Sequence, residues 1–259
     1  MRIPIFHVDA FASRPFGGNP AAVCTLEDWL GDSVLQSIAA ENNLSETAFL
    51  KGKGKDYEIR WMTPTQEVDL CGHATLASAH VVFEKIEPGR RQVTFHSRSG
   101  PLSVRKEEDR LVMEFPSRPP VPTVAPEGLG RALGREPREV LKARDFVAVF
   151  ESEDEVLDLT PDFGGLAALD AFGFIVTAPG RDVDFVSRFF APGRGVPEDP
   201  VTGSAHCSLV PYWSKRLGKS RLHARQISKR GGELFLEDRG DRVLIAGKAV
   251  QYLEGNLEI

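Results

Sequence analysis

The stretch "DLCGHATLASAH", residues 69–80, places a cysteine, a glycine and a histidine at the start of a segment with the character of a buried helix. From His73 to Phe83, apolar residues cover every side of the helical wheel instead of one stripe. A helix that is apolar all round has to be enclosed by other elements. Short segments rich in β-branched and aromatic residues flank it on both sides and predict strands. We therefore expect a barrel-like sheet wrapped around one central helix.

A second stretch, "PVTGSAHCSLVP" at 200–211, repeats the first. The residues "GHA" at 72–74 align with "GSA" at 203–205, an offset of 131 residues. The residues "SRSG" at 97–100 align with "SKRG" at 228–231 at the same offset, and two further matches keep the order at offsets of 132 and 128. Ordered matches at a nearly constant offset indicate internal duplication. The predicted fold class is α+β, with two similar domains that each wrap a β-barrel-like sheet around a central apolar helix.

The proline-rich stretch "PSRPPVPTVAP" separates the two copies. Prolines remove backbone donors and favour extended chain, as in a linker. The predicted domains are 1–116 and 127–247, joined by a linker at 117–126. The C-terminal strand, 248–259, is a candidate to join the first domain.

Two further helices are predicted, at 32–42 and 204–217. Asp32 is a good N-cap residue for the first of them. In the second, Pro211 lacks the N–H that would bond the carbonyl of Cys207, which predicts a kink.

Composition excludes several classes of protein. The chain has 259 residues, a net charge of −5 and a pI of about 5.8, so neither nucleic acid nor an acidic membrane is an expected partner. No apolar run approaches the roughly 18 residues of a membrane span. Cys24, Cys71 and Cys207 are too widely spaced for a disulfide framework or a zinc site, and the first residues have strand character, not that of a signal peptide. We expect a cytoplasmic protein with no metal.

The two repeated glycines, Gly72 and Gly203, stand at the N-termini of the two central helices. The first N–H groups of a helix lack intrahelical partners, and the helix dipole adds positive potential there. If the two copies face each other, both N-termini point into one cleft. Such a cleft would suit a substrate carboxylate.

The side chains near these N-termini decide which reaction is possible. Cys71 and His73 lie near the first, and Asp199, Thr202 and Ser204 lie near the second. Close to a helix N-terminus the charged form of Asp199 is favoured, so we expect it to orient His73 or the substrate.

A further carboxylate is offered by "NNLSETAFL", where Glu46 begins an apolar strand. Apolar neighbours would favour the neutral form of this side chain, which suits a general acid and base.

Each of these residues also has a simpler interpretation. Glu46 could be a solvated carboxylate at a strand start, and His73 could only bond nearby backbone. Asp199 could cap the following helix, and Ser204 could be an ordinary first-turn residue. Asn19, in "FGGNP", could be only a turn residue.

Four blocks together, "GGNPAAVC", "NNLSETAF", "DLCGHATLASAHVV" and "EDPVTGSAH", resemble the signature of the PhzF-like, or phenazine-biosynthesis-like, family within the diaminopimelate-epimerase-like superfold. The resemblance covers nearly the whole chain. It implies two similar domains, each a β-barrel around a central helix, with the active site between them, and it implies a homodimer with no metal and no organic cofactor.

The resemblance also implies roles for individual residues. Glu46 would transfer the proton, with His73 and Asp199 as its catalytic partners. The phenazine enzyme of that family isomerises a dihydro-hydroxyanthranilate, but the substrate does not carry over to this chain. The residues implied in substrate binding are Asn19, Ser45, Gly72, Thr202, Gly203 and Ser204.

In the related amino-acid epimerases, each helix N-terminus presents a cysteine. Here Cys71 occupies the first position, but the equivalent residue of the second copy is Thr202. A hydroxyl is far too weak an acid or base to replace a thiolate. We therefore expect an isomerase that moves a proton on a small carboxylate through Glu46. The alternatives are a racemase or epimerase that uses Cys71, and a non-catalytic protein that binds a small molecule or a partner.

Overall fold

The computed structural model describes residues 1–54 and 56–259, which form two units. The first unit consists of Met1–Glu114 together with Ala246–Ile259, and the second unit is Phe115–Ile245. The C-terminal segment thus belongs to the first unit. The proline-rich residues that the sequence suggests as a linker lie within the second unit.

Both units are built from short strands with few helices, as expected of the α+β class. The strands are β1 (Arg2–Ala10), β2 (Asn19–Leu26), β3 (Glu46–Lys53), β4 (Asp56–Met62), β5 (Glu67–Val68), β6 (Gln92–Ser97), β7 (Gly100–Glu107), β8 (Arg110–Pro116), β9 (Val121–Pro122), β10 (Glu139–Lys142), β11 (Phe146–Val149), β12 (Phe174–Pro179), β13 (Phe185–Ala191), β14 (Val196–Asp199), β15 (Arg221–Gln226), β16 (Gly232–Asp238), β17 (Arg242–Gly247) and β18 (Ala249–Glu258). The helices are α1 (Asp32–Asn42), α2 (Gly72–Val81), α3 (Leu129–Leu133), α4 (Glu153–Leu157), α5 (Phe163–Ala167) and α6 (Gly203–Leu217), with a π-helical turn at Val82–Ile86 and a 3₁₀ turn at Pro192–Arg194.

Helix α2 is the central element of the first unit. Its residues are buried on every side, and it packs against β1, β2, β3 and β18. The predicted enclosed helix is therefore confirmed, although the α-helix ends at Val81 and continues as the π-helical turn. Its two hydroxyl side chains are satisfied within the helix, because Thr75 and Ser78 donate to the carbonyls four residues earlier at 2.6 and 2.7 Å. The helix can be enclosed by apolar side chains without leaving these hydroxyls unpaired.

The sheet of the first unit has the order β18–β1–β2–β3–β4–β6–β7–β8. Most pairs are antiparallel, but β2 with β3 and β4 with β6 are parallel. In the β2–β3 pair, Ala21 lies opposite Glu46. Parallel pairing places the first residues of both strands, Asn19 and Glu46, at the same edge of the sheet.

The second unit repeats this order of pairings. Strand β11 pairs with β12 in parallel, and β13 pairs with β15 in parallel. Helix α6 lies between β14 and β15 in the chain, as α2 lies between β5 and β6. This is the arrangement that internal duplication requires, and the duplication itself stays a prediction.

Helix α6 contains Pro211 and runs without a break from Gly203 to Leu217. Proline has no N–H, so the carbonyl of Cys207 loses its helical partner. The backbone N–H of Arg118 donates to that carbonyl at 2.9 Å. An extended segment of the same unit thus satisfies the acceptor that the proline leaves free.

Two features of the fold differ from the sequence-based expectation. The N-cap of α1 is Gly31, and Asp32 is instead the first helical residue, where its carboxylate pairs with Arg60 at 2.9 Å. The five-residue helices α3, α4 and α5 were not predicted. A helix of one turn is too short to show a 3.6-residue period.

Among the described residues, no helix combines the length and the hydropathy needed to cross a bilayer.

A buried histidine in α6 makes the stability of the protein sensitive to acid. His206 has no exposed surface, its Nδ1 bonds the carbonyl of Thr202 at 2.8 Å, and its ring lies 6.0 Å from that of Phe185. Burial lowers the pKa of this imidazole to about 4. The unfolded chain takes up a proton near pH 6.5 and the folded chain does not, so stability is lost as the pH falls from about 6.5 to about 4.

We expect this histidine alone to remove roughly 3 kcal/mol of unfolding free energy over that interval. The variant His206→Gln keeps a donor for the carbonyl of Thr202 but cannot titrate, so it should show a correspondingly flatter dependence on pH. Urea unfolding at pH 6.5 and pH 4 measures the difference. His96→Gln, at an exposed histidine, is the control. An equal loss of stability in wild type and His206→Gln would contradict the assignment.

Candidate active site

The N-termini of helix α2 and of strands β2 and β3 lie close together in the first unit. His73 is the second residue of α2, Glu46 the first of β3 and Asn19 the first of β2. The Nε2 atom of His73 lies 3.0 Å from Oε2 of Glu46, and its Nδ1 lies 3.2 Å from the amide nitrogen of Asn19. The imidazole is therefore held between a carboxylate and a carboxamide.

The Glu46 side chain is only 18% exposed, so it is not the solvated carboxylate of the simpler interpretation. Its Oε2 is buried and lies within ion-pair distance of Nε2 of His73. A carboxylate oxygen has two lone pairs, so this contact leaves it able to accept a proton. In addition to the apolar residues of its strand, Glu46 has the imidazole of His73 as a polar neighbour in direct contact.

Cys71 is the N-cap residue of α2 and is buried. Its Sγ lies 3.6 Å from Nδ1 and 4.0 Å from Nε2 of His73. Burial, aided by the negative charge of Glu46, raises the pKa of this thiol to about 11. Cys71 is consequently a neutral thiol at neutral pH.

His73 carries the positive charge of the cluster. Burial acts to lower the pKa of this imidazole, but its interactions with Cys71 and Glu46 outweigh burial and hold the pKa well above its ordinary value. With Cys71 a neutral thiol, the negative charge that faces the imidazole is the carboxylate of Glu46. The cluster at neutral pH is therefore an imidazolium–carboxylate pair.

Asn19 is fully buried, so it is more than an exposed turn residue. A carboxamide can serve either protonation state of its partner: its NH₂ donates to a bare ring nitrogen and its oxygen accepts from a protonated one. Asn19 can therefore hydrogen-bond the imidazole of His73 whether that ring is neutral or protonated.

In the second unit, Gln226 organises the segment that leads into α6. Thr202 donates its hydroxyl to Oδ2 of Asp199 at 2.5 Å, and its backbone N–H to Oε1 of Gln226 at 2.8 Å. The amide nitrogen of Gln226 donates to the carbonyl of Asp199 at 2.7 Å and to the hydroxyl of Thr202 at 3.2 Å. The hydroxyl of Thr202 thus holds the carboxylate of Asp199.

Gln226 was missed from the sequence because it lies in the basic segment "RQISKR", which suggests a solvated strand. The side chain is in fact completely buried. Buried and more exposed positions alternate along this strand. That two-residue period places Gln226 on the buried face and could have predicted its burial.

Ser204, in the first turn of α6, accepts a hydrogen bond from Nη2 of Arg144 at 3.0 Å. Arg144 in turn pairs with Asp145, which is 2% exposed on its side chain. Sequence reasoning missed this arginine. The only signal was an adjacent pair of opposite charges directly before an apolar strand.

The remaining predicted residues occupy the expected ends of their elements. Gly72 and Gly203 are the first residues of α2 and α6, and a Cβ added at Gly203 would meet no atom within 4 Å. Ser45 is half-buried in the bend before β3. The structure thus brings Glu46 and His73 together, whereas the role of Asp199 in orienting His73 stays a prediction.

Glu46, Cys71 and His73 each offer a donor atom, and these atoms lie within 4.8 Å of one another. Such a set could in principle hold a cation. At neutral pH, however, a metal would have to displace protons from both the thiol and the imidazolium. The chemistry of the three side chains therefore favours proton transfer.

The sequence profile of the family described as "Phenazine biosynthesis-like protein" matches residues 8–255. The chain belongs to this family. A protein of Pseudomonas aeruginosa named "Uncharacterized isomerase" is 54% identical over 259 residues, covering all of both chains. The crystal structure of a phenazine biosynthesis protein of the PhzF family from Enterococcus faecalis is 47% identical, with a TM-score of 0.98 over the whole of both chains.

A likeness of fold extends further. A hydroxyproline epimerase from Agrobacterium vitis superposes with a TM-score of 0.62 at 10% identity, covering 99% of this chain and 92% of that one. These findings confirm the PhzF-like resemblance and the epimerase-like α+β fold. At the level of the family, they also support an isomerase.

The three cysteines should be unreactive in the folded protein. Burial raises the pKa of Cys24 to about 12 and those of Cys71 and Cys207 to about 11. At pH 8 a thiol with a pKa of about 11 is roughly one part in a thousand thiolate. Intact-mass analysis after treatment with iodoacetamide should show no adduct on the native protein and all three in urea. Rapid labelling of native Cys71 would contradict the assignment of a neutral thiol.

Proposed function

We propose that the protein is a cofactor-independent acid/base isomerase that moves a proton on a small carboxylate substrate, with Glu46 as the proton shuttle. The observation that carries this proposal is the position of Oε2 of Glu46. It is buried and lies 3.0 Å from Nε2 of His73. A carboxylate held in this way is a base in a fixed position with room for a proton.

His73 would adjust the strength of that base. Its imidazole holds the carboxylate of Glu46 in position to accept a proton from an activated C–H of the substrate. The electron pair left on carbon would be delocalised along the substrate. Once protonated, Glu46 still lies beside a cation, so it readily gives the proton back to a different carbon.

The helix N-termini would bind the anionic part of the substrate. The first intrahelical bond of α2 runs from the N–H of Thr75 to the carbonyl of Cys71, so the N–H groups of Gly72 and His73 precede it, while the N–H of Ala74 faces the thiol of Cys71. In the second unit, Gly203 and Ser204 would serve in the same way, with Asp199 orienting the substrate.

The remaining features of the proposal rest on the family resemblance. We propose a cytoplasmic homodimer that works without a metal or an organic cofactor. Asn19 and Ser45 would complete the substrate contacts near Glu46, and Thr202 would contribute by holding Asp199.

The main rival is a racemase or epimerase that uses Cys71. Two observations weigh against it. The pKa of the Cys71 thiol is raised to about 11 by burial, and the equivalent position of the second unit is occupied by Thr202. A two-base thiol mechanism would need a second thiolate that the chain does not supply at that position.

The test is solvent exchange. Purified protein is incubated in heavy water with a panel of small carboxylates that carry an activated C–H or an alkene, and deuterium is located by NMR. We expect incorporation by wild type and a loss of about 100-fold or more in Glu46→Gln, because general acid/base groups contribute on that scale.

Two variants make the test specific. Glu41→Gln, at an exposed glutamate of α1, should exchange at the wild-type rate. Cys71→Ser should retain exchange within a few-fold, whereas a thiol mechanism would be abolished. Equal exchange by wild type and Glu46→Gln would refute the shuttle, and tight binding of a carboxylate without exchange at any carbon would favour the non-catalytic alternative.

A further inference from the structure

The guanidinium of Arg144 is fixed in place at the start of α6. Its Nε lies 3.2 Å from both carboxylate oxygens of Asp145, and its Nη2 donates to Oδ2 of Asp145 at 2.8 Å. Asp145 is buried, so it cannot move freely. The guanidinium carbon also lies 4.1 Å from the ring centroid of Phe172. The bidentate contact with Asp145 and the contact with the ring of Phe172 leave the Arg144 side chain little rotational freedom.

The hydrogen bonds of Arg144 and Ser204 leave one donor group available on each residue. One N–H of Nη2 bonds Asp145 and the other bonds the hydroxyl oxygen of Ser204 at 3.0 Å. The Nη1 atom makes no hydrogen bond with any residue that the structure describes. Ser204 accepts from Arg144, so its own hydroxyl proton remains available to donate. Arg144 and Ser204 therefore present two neighbouring donors, one from each residue.

The local charge favours an anion. Arg118 and Arg144 both lie close enough to act on the thiol of Cys207 in α6, and Arg194 lies 5.0 Å from the ring centroid of Phe172. Neither Arg118 nor Arg194 has an ion-pair partner within the described part of the chain. Arg118 and Arg144 thus bring positive charge to Cys207 of α6, and Arg194 shares the ring of Phe172 with Arg144.

We propose that Arg144 and Ser204 form a carboxylate-recognition site in which one oxygen accepts from Nη1 and the other from the hydroxyl of Ser204. Arg144 would then be a specificity-determining residue that selects acids over their neutral analogues. This inference rests on the proposed function, which gives the protein a small carboxylate as its substrate. A site built to donate two hydrogen bonds rejects ligands that cannot accept them.

The test compares an acid with its amide. Binding of 4-fluorobenzoate and 4-fluorobenzamide is followed by ¹⁹F NMR titration, which detects weak ligands. Wild type should prefer the carboxylate by about tenfold or more, since hydrogen bonds to a charged group are worth that much. Arg144→Gln should abolish the preference, and Ser204→Ala should reduce it severalfold. Arg138→Gln, at an exposed arginine of the same unit, should leave it unchanged.

A further pair of substitutions separates recognition from folding. Arg144→Gln leaves the buried carboxylate of Asp145 unpaired, so the double variant Arg144→Gln/Asp145→Asn removes both charges together. It should fold, as judged by its thermal melt, and should show no preference for the acid. A preference that persists in the double variant, or no preference in wild type, would overturn the inference.

A failure of the recognition site can be distinguished from a failure of the proposed isomerase activity. Glu46→Gln should keep the preference for 4-fluorobenzoate while losing solvent exchange. If wild type shows the Arg144-dependent preference but exchanges no proton on any carboxylate, the recognition site stands and the isomerase proposal fails.

Discussion

The enclosure of α2 is the constraint on which the candidate site depends. Because the helix is buried on every side, the polar side chains at its N-terminus cannot be satisfied by bulk water and have to pair with one another. His73 accordingly lies against Glu46 and Asn19, which the parallel pairing of β2 and β3 brings to the same edge. The same burial that keeps the thiol of Cys71 neutral strengthens the attraction between imidazolium and carboxylate.

The two units use one architecture for different chemical tasks. In the first unit the residue before the helix is Cys71, which contacts an imidazole, and in the second it is Thr202, which donates to the carboxylate of Asp199. The first unit thus provides a proton acceptor beside a cation. The second provides fixed donors at Arg144 and Ser204.

Much of the fold could be predicted because its signals are periodic. The apolar wheel of α2 indicated an enclosed helix, and the repeated "GHA" and "GSA" located both helix starts. The pairing of Glu46 with His73 was not visible in this way, since it depends on a parallel register between strands. Arg144 and Gln226 were missed because their partners lie far away in the chain, at Ser204, Asp199 and Thr202. Short-range patterns contain no information about such contacts.

The most direct test of the account is the titration of His73 by NMR in wild type and in Glu46→Gln. With a carboxylate 3.0 Å away, the pKa of His73 should lie well above the ordinary histidine value of about 6.5, and the loss of that charge in Glu46→Gln should lower it. His80, whose pKa is lowered by burial, is the internal reference. A neutral His73 in wild type at pH 6.5, or a titration unchanged by Glu46→Gln, would contradict the central ion pair.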